Sequence, residues 1–126
     1  MHTRTRRFVA VVPTLALAFL GACGGGGGDS TTTPAGGPVT KVSGTEFAFD
    51  PSTLTATADT AFAVELANAG TIEHDFTIEG RESDKVVVAA GKKGTATFTL
   101  AAGTYKFYCS VAGHEAAGMK GTLTVA

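Results

Sequence analysis

Near the C-terminus, Cys109, His114 and Met119 follow one another with four residues in each gap, in the run Tyr105-Lys-Phe-Tyr-Cys-Ser-Val-Ala-Gly-His-Glu-Ala-Ala-Gly-Met-Lys-Gly-Thr-Leu-Thr-Val125. A thiolate, an imidazole and a thioether in one short glycine-containing loop can wrap a single soft metal ion from one side. A further ligand must come from elsewhere. Outside the first residues the sequence holds just one other histidine, His74. Taken alone, each of these residues has an ordinary role: a packed methionine, an inert buried cysteine, a structural histidine. Their conjunction selects the metal. Structural zinc takes Cys₄, Cys₃His or Cys₂His₂ sets, and iron–sulfur clusters need more cysteines than are present. Thiolate and thioether favour Cu(I), while two imidazoles keep Cu(II) tolerable, as in centres with a weak axial methionine. The expectation is one copper ion per chain, cycling between Cu(I) and Cu(II), held by His74, Cys109, His114 and Met119.

Such a loop needs a rigid frame. From Val39 onward, short alternating apolar runs are separated by Gly, Pro and Asp turn signals, which predicts strands over 39–49, 52–57, 60–68, 72–79, 84–88, 94–100, 103–109 and 121–126. Phe62, Val64 and Leu66 share one face, with Ala63, Glu65 and Ala67 on the other. Eight short strands at this spacing predict an all-β, antiparallel sandwich with Greek-key connections. Its expected core is Phe47, Phe49, Phe62, Leu66, Phe76, Ile78, Phe98, Leu100 and Phe107. In this frame a strand ends at Cys109, the ligand loop follows, and a last strand closes the sheet.

The segment from about Val39 to Ala126, on the strength of its Cys-x₄-His-x₄-Met loop and upstream histidine, resembles the cupredoxin family of type I copper proteins, the plastocyanin and azurin fold. The gap lengths resemble auracyanin-like members more than plastocyanin. The resemblance implies that His74, Cys109 and His114 are the strong ligands and Met119 the distant axial one. It also implies a side chain after the first histidine hydrogen-bonded toward the residue after the cysteine. Those places hold Asp75 and Ser110, an Asp where Asn is commoner, which changes the charge beside the site. The function implied is transfer of single electrons between membrane-associated redox proteins, through transient contacts at the exposed edge of His114. Copper binding and delivery without electron transfer is the alternative. With four protein ligands no position is left for a substrate, and no hydrolytic triad, carboxylate pair or phosphate loop is present, so an enzyme is not expected.

The first residues read as an address. Arg4, Arg6 and Arg7 precede an apolar run from Phe8 to Leu20, too short for a comfortable membrane span, which needs about 20 residues. Leu20-Gly21-Ala22-Cys23 resembles the lipobox of bacterial lipoproteins. Residues 1–22 would then be a signal peptide and Cys23 the lipid-bearing first residue. Arg6-Arg7 leaves Sec and twin-arginine export both open. Residues 23–38, rich in Gly, Thr and Pro, would be a flexible tether. The domain at 39–126 would sit on the extracytoplasmic face of a membrane, as a monomer. Acylation of Cys23 would leave Cys109 the sole thiol of the exported chain, and a metal is its natural occupant. From Cys23 on there are seven basic and eleven acidic side chains, a net of −4. With no basic stripe, nucleic acid is not an expected partner.

Overall fold

The alternation downstream of residue 38 does become strands. The computed structural model describes residues 37–126; the expected signal peptide, Cys23 and nearly all of the expected tether lie outside the described residues. Nine strands run β1 (Val39–Thr45), β2 (Ala48–Asp50), β3 (Thr53–Ala56), β4 (Phe62–Asn68), β5 (His74–Ile78), β6 (Val86–Val88), β7 (Lys93–Phe98), β8 (Gly103–Tyr108) and β9 (Lys120–Val125), with one 3₁₀ turn at Glu82–Asp84. No α-helix occurs among the described residues.

The strands form two sheets, ordered β2-β1-β4-β7 and β3-β9-β8-β5-β6. Two expectations need correction. The run 39–49 is not one strand. It folds back after Thr45 into the antiparallel pair β1–β2, with Thr45 opposite Ala48. The sheets are also mixed rather than antiparallel, since β1 pairs parallel with β4 and β3 parallel with β9. The chain leaves the first sheet after β2 and runs β3 along the second. It returns as β4 in the direction of β1, which fixes that pairing as parallel.

The inner faces carry the expected alternation. Phe62, Val64 and Leu66 are buried, as are Phe49, Phe76, Ile78, Phe98, Leu100 and Phe107. Phe76 and Phe107 stack at 4.9 Å, and Phe49 leans on both at 5.8 and 5.5 Å. Each such ring withdrawn from water contributes about 1.5–3 kcal/mol, so this aromatic knot fixes β5 and β8 against the opposite sheet. Phe47 is the exception within the expected core, at 39% exposed. The break after Thr45 rotates the chain, and residues 47 and 49 no longer share a face.

Candidate metal centre

Two registers bring the chemistry together. In β5–β8, Thr77 faces Tyr108 and Ile78 faces Phe107, so the start of β5 meets the end of β8. His74 is the first residue of β5, and Cys109 follows the last of β8. In β8–β9, Tyr108 faces Lys120. One step on, the Cys109 N–H donates to the Met119 carbonyl at 3.0 Å, closing the loop between them. Inside that loop the His114 N–H donates to Val111 O and the Met119 N–H to His114 O, both at 3.0 Å. The two four-residue gaps are therefore two hydrogen-bonded turns. Gly113 (φ 85°) and Gly118 (φ 113°) occupy the left-handed backbone these turns require. The Lys106 ammonium, reaching from β8, donates to the Glu115 carboxylate at 2.7 Å and holds the loop down from outside.

The donor atoms of His74, Cys109 and His114 all lie within 4.8 Å of one another, and all three residues are buried. His74 Nδ1 is 3.2 Å from His114 Nδ1, and Cys109 Sγ is 3.5 Å from the same atom. Burial first, then the facing His114, pushes the His74 imidazole below its ordinary pKa, which keeps it in the neutral form that ligates metals. Burial pushes the Cys109 thiol up, against the pull of the backbone N–H groups of Asp75 and Val111. The free thiol thus keeps its proton at neutral pH, and an incoming metal must displace it. Two imidazoles and one sulfur gathered within 4.8 Å in a buried interior fit a thiophilic ion. Met119 is fully buried, with a Cβ built at Gly44 coming 3.2 Å from its methyl carbon.

Behind these side chains a polar lattice sets their orientation. The Asp75 N–H donates to Cys109 Sγ at 3.3 Å. Asp75 Oδ1 accepts from the Ser110 N–H at 2.7 Å and from Thr77 Oγ1 at 2.8 Å, and Oδ2 accepts from Ser110 Oγ at 2.6 Å. The Lys85 ammonium donates to Ser110 Oγ at 2.9 Å and stands 3.9 Å from Asp75 Oδ2. The buried negative charge is thus met by hydroxyl, amide and ammonium donors, the condition under which a buried carboxylate is tolerated.

Four residues were not singled out for the site from the sequence. Lys85 is one. Asn68 is buried, and its Nδ2 donates to the carbonyls of Ile72 (2.8 Å) and Val88 (2.9 Å), anchoring the loop that enters His74. Glu46, in the β1–β2 turn, places Oε1 3.7 Å from His74 Nε2. Its carboxyl is held below the ordinary range chiefly by the Thr71 N–H. Phe47, expected in the core, sets its ring edge-on to His114 at 4.8 Å. The Asn-Ala-Gly-Thr run at 68–71 is a turn signal that could have drawn attention to Asn68. Nothing local marks the other three.

Known proteins resemble this chain in sequence and fold. A family model described as cupredoxin-like domain matches residues 11–125. Auracyanin-B of Chloroflexus aurantiacus is 60% identical over 37 residues, which cover 29% of this chain and 16% of that protein. The copper-resistant cuproprotein CopI of Rubrivivax gelatinosus is 32% identical over 97 residues, covering 61% of this chain and 59% of that protein. The chain thus spans less than two thirds of the length of both curated relatives. Among solved structures, dithionite-reduced auracyanin from Roseiflexus castenholzii aligns with a TM-score of 0.62 at 25% identity, over 71% of this chain and 96% of that one. Auracyanin B aligns with a TM-score of 0.64 at 24% identity, over 72% and 90%. Auracyanin A, a blue copper protein of Chloroflexus aurantiacus, aligns with a TM-score of 0.64 at 22% identity, over 71% and 100%; these last two likenesses speak to the fold alone. With the family model spanning most of the chain, and a buried His-Cys-His set at the mouth of a two-sheet sandwich, this protein belongs to the cupredoxin-like family.

Proposed function

We propose that this protein binds one copper ion and carries single electrons outside the cytoplasm. The convergence of His74, Cys109 and His114 within 4.8 Å, in a family whose relatives include a blue copper protein, carries the reading. Met119 would supply a thioether to complete the set: it is buried at the end of the same loop, and its backbone bonds to those of both Cys109 and His114. Copper supplies the one-electron Cu(I)/Cu(II) couple. The chain supplies a donor set both ions accept, pinned by two sheets, so little rearrangement accompanies a change of charge.

His114, 6% exposed, is the route outward. Around it lie exposed Ala112, Gly113, Ala116 and Ala117, half-buried Val111 and the exposed ring of Phe47. A small apolar rim of this kind suits brief docking, and redox encounters bury less than about 1,200 Å². The proposed partners are transient redox proteins, the working unit is a monomer, and no catalytic role is assigned. A lipid on Cys23 is proposed to hold the domain at a membrane's extracytoplasmic face.

The test is to load the protein with Cu(II) and record visible and EPR spectra beside Cys109→Ser. Wild type should show intense thiolate-to-copper absorption and a narrow hyperfine splitting, and should cycle reversibly by one electron. Cys109→Ser should lose the colour. Colour that persists in Cys109→Ser would refute the ligand assignment. The CopI likeness favours a second reading, copper sequestration for tolerance. Under that reading the protein holds Cu(I) and fails to cycle rapidly.

A further inference from the structure

His74 presents Nδ1 toward His114 and Cys109. A neutral imidazole carries one proton, so a ring that ligates through Nδ1 must carry its proton on Nε2. That atom is fully buried and, among the described residues, is the one buried side-chain nitrogen or oxygen without a hydrogen-bond partner. Its neighbour is Glu46 Oε1 at 3.7 Å, longer than a formed hydrogen bond but separated from one by a small movement.

The carboxylate is itself held in place. Oε1 accepts from the Thr71 N–H, from Thr71 Oγ1 at 3.2 Å and from the Ile72 N–H at 3.2 Å. Gly70 makes room for it. A Cβ there would collide with Oε1 and stand 2.8 Å from the carboxyl carbon. The opposite tautomer, with the proton on Nδ1, would turn a bare nitrogen lone pair toward this negative oxygen.

Resting on the copper reading above, we propose that Glu46 is a positioning residue of the metal centre: it accepts the His74 Nε2–H, fixes the tautomer that leaves Nδ1 free for the metal, and biases the site toward Cu(II). A carboxylate that takes up the distal N–H raises the donor strength of the ligating nitrogen. The more highly charged ion gains most from that.

The experiment has a metal-free arm and a metal-loaded arm. In the metal-free protein, long-range ¹H–¹⁵N NMR of His74 should show the Nε2–H tautomer. In Glu46→Gln, which keeps an oxygen for the Thr71 and Ile72 amides, the Nδ1–H form should gain population. In the loaded arm, competition titrations should show Glu46→Gln binding Cu(II) about 10–100-fold more weakly. Cu(I) affinity should change far less, so the reduction potential rises. Gly70→Ala, which displaces the carboxylate without removing its charge or touching His74, should move the Cu(II)-to-Cu(I) affinity ratio in the same direction. It also stands in for Glu46→Gln should that variant not fold. An Nδ1–H wild type, or a variant with the wild-type affinity ratio, overturns the proposal. A wild type that takes up no copper overturns the functional reading and the metal half of this one with it. A copper-loaded wild type beside an indifferent Glu46→Gln overturns this inference alone.

Discussion

Asp75 shows how a buried carboxylate is accommodated beside a metal centre. Its side chain is 3% exposed and lies beside both His74 and the Cys109 sulfur, so an unpaired charge there would be costly. Lys85 answers it from the start of the chain's approach to β6, through Ser110 Oγ and across 3.9 Å to Oδ2. The two charges should therefore be coupled in stability. In urea unfolding of the metal-free protein, Lys85→Met and Asp75→Asn should each destabilise. The double variant should fall short of their sum by about 0.5–1 kcal/mol, the low end for a contacting pair because Lys85 is partly exposed to solvent. Strict additivity would show that Lys85 merely lies on the surface. At this scale the sequence is legible where chemistry is concentrated. Cys109, His114 and Met119 stand together in one loop, and three uncommon residue types at even spacing announce a metal. Glu46 and Lys85 are not legible, because exposed charges are ordinary in any sequence and these two acquire meaning only when the fold brings them beside His74 and Asp75.

Among the elements, β8 and β9 carry the greatest share of the positioning, and their contact is tightest at Gly121. That residue faces Phe107, and a Cβ on it would collide with the Phe107 ring and the Ser52 carbonyl oxygen. Phe107 is fully buried against Phe76 and Phe49 and has nowhere to go. Gly121→Ala should therefore cost about 1–3 kcal/mol by overpacking. It should also weaken copper binding, since Phe107 lies two residues before Cys109 on the same strand face. Gly103→Ala on the same pair of strands is the control. Its Cβ would meet Tyr105 at an ordinary 3.5 Å, and thermal melts should barely separate it from wild type. Equal melting of the two variants would show that the crowding at Gly121 is relieved at no cost. Alternation made most strands legible, as Phe62, Val64 and Leu66 show. The turn between β1 and β2 was not, because Thr45-Glu46-Phe47 contains neither Gly nor Pro and continues the apolar rhythm. The parallel pairings were hidden too, since a strand's residue pattern says which face is buried and not which neighbour lies beside it.

For the whole molecule, the question is whether holding copper and holding a membrane are independent tasks. Every proposed ligand lies between His74 and Met119, within a sandwich whose strands begin at Val39. The proposed anchor is one residue, Cys23, joined to that sandwich by a stretch rich in glycine, threonine and proline. A diacylglycerol on its sulfur brings two acyl chains at about 0.8 kcal/mol per buried CH₂, enough for stable attachment where one chain is marginal. The two tasks should therefore separate in Cys23→Ser expressed in cells. Wild type should pellet with membranes and be released by detergent but not by salt, because the proposed attachment is apolar and the chain from Cys23 onward carries a net charge of −4, seven basic against eleven acidic side chains. Cys23→Ser should appear in the soluble fraction with the same visible absorption per mole of protein. A variant that still pellets, or a wild type that does not, would rule out the lipid. A soluble variant that has lost its copper colour would show that residues ahead of Val39 contribute to the metal centre after all.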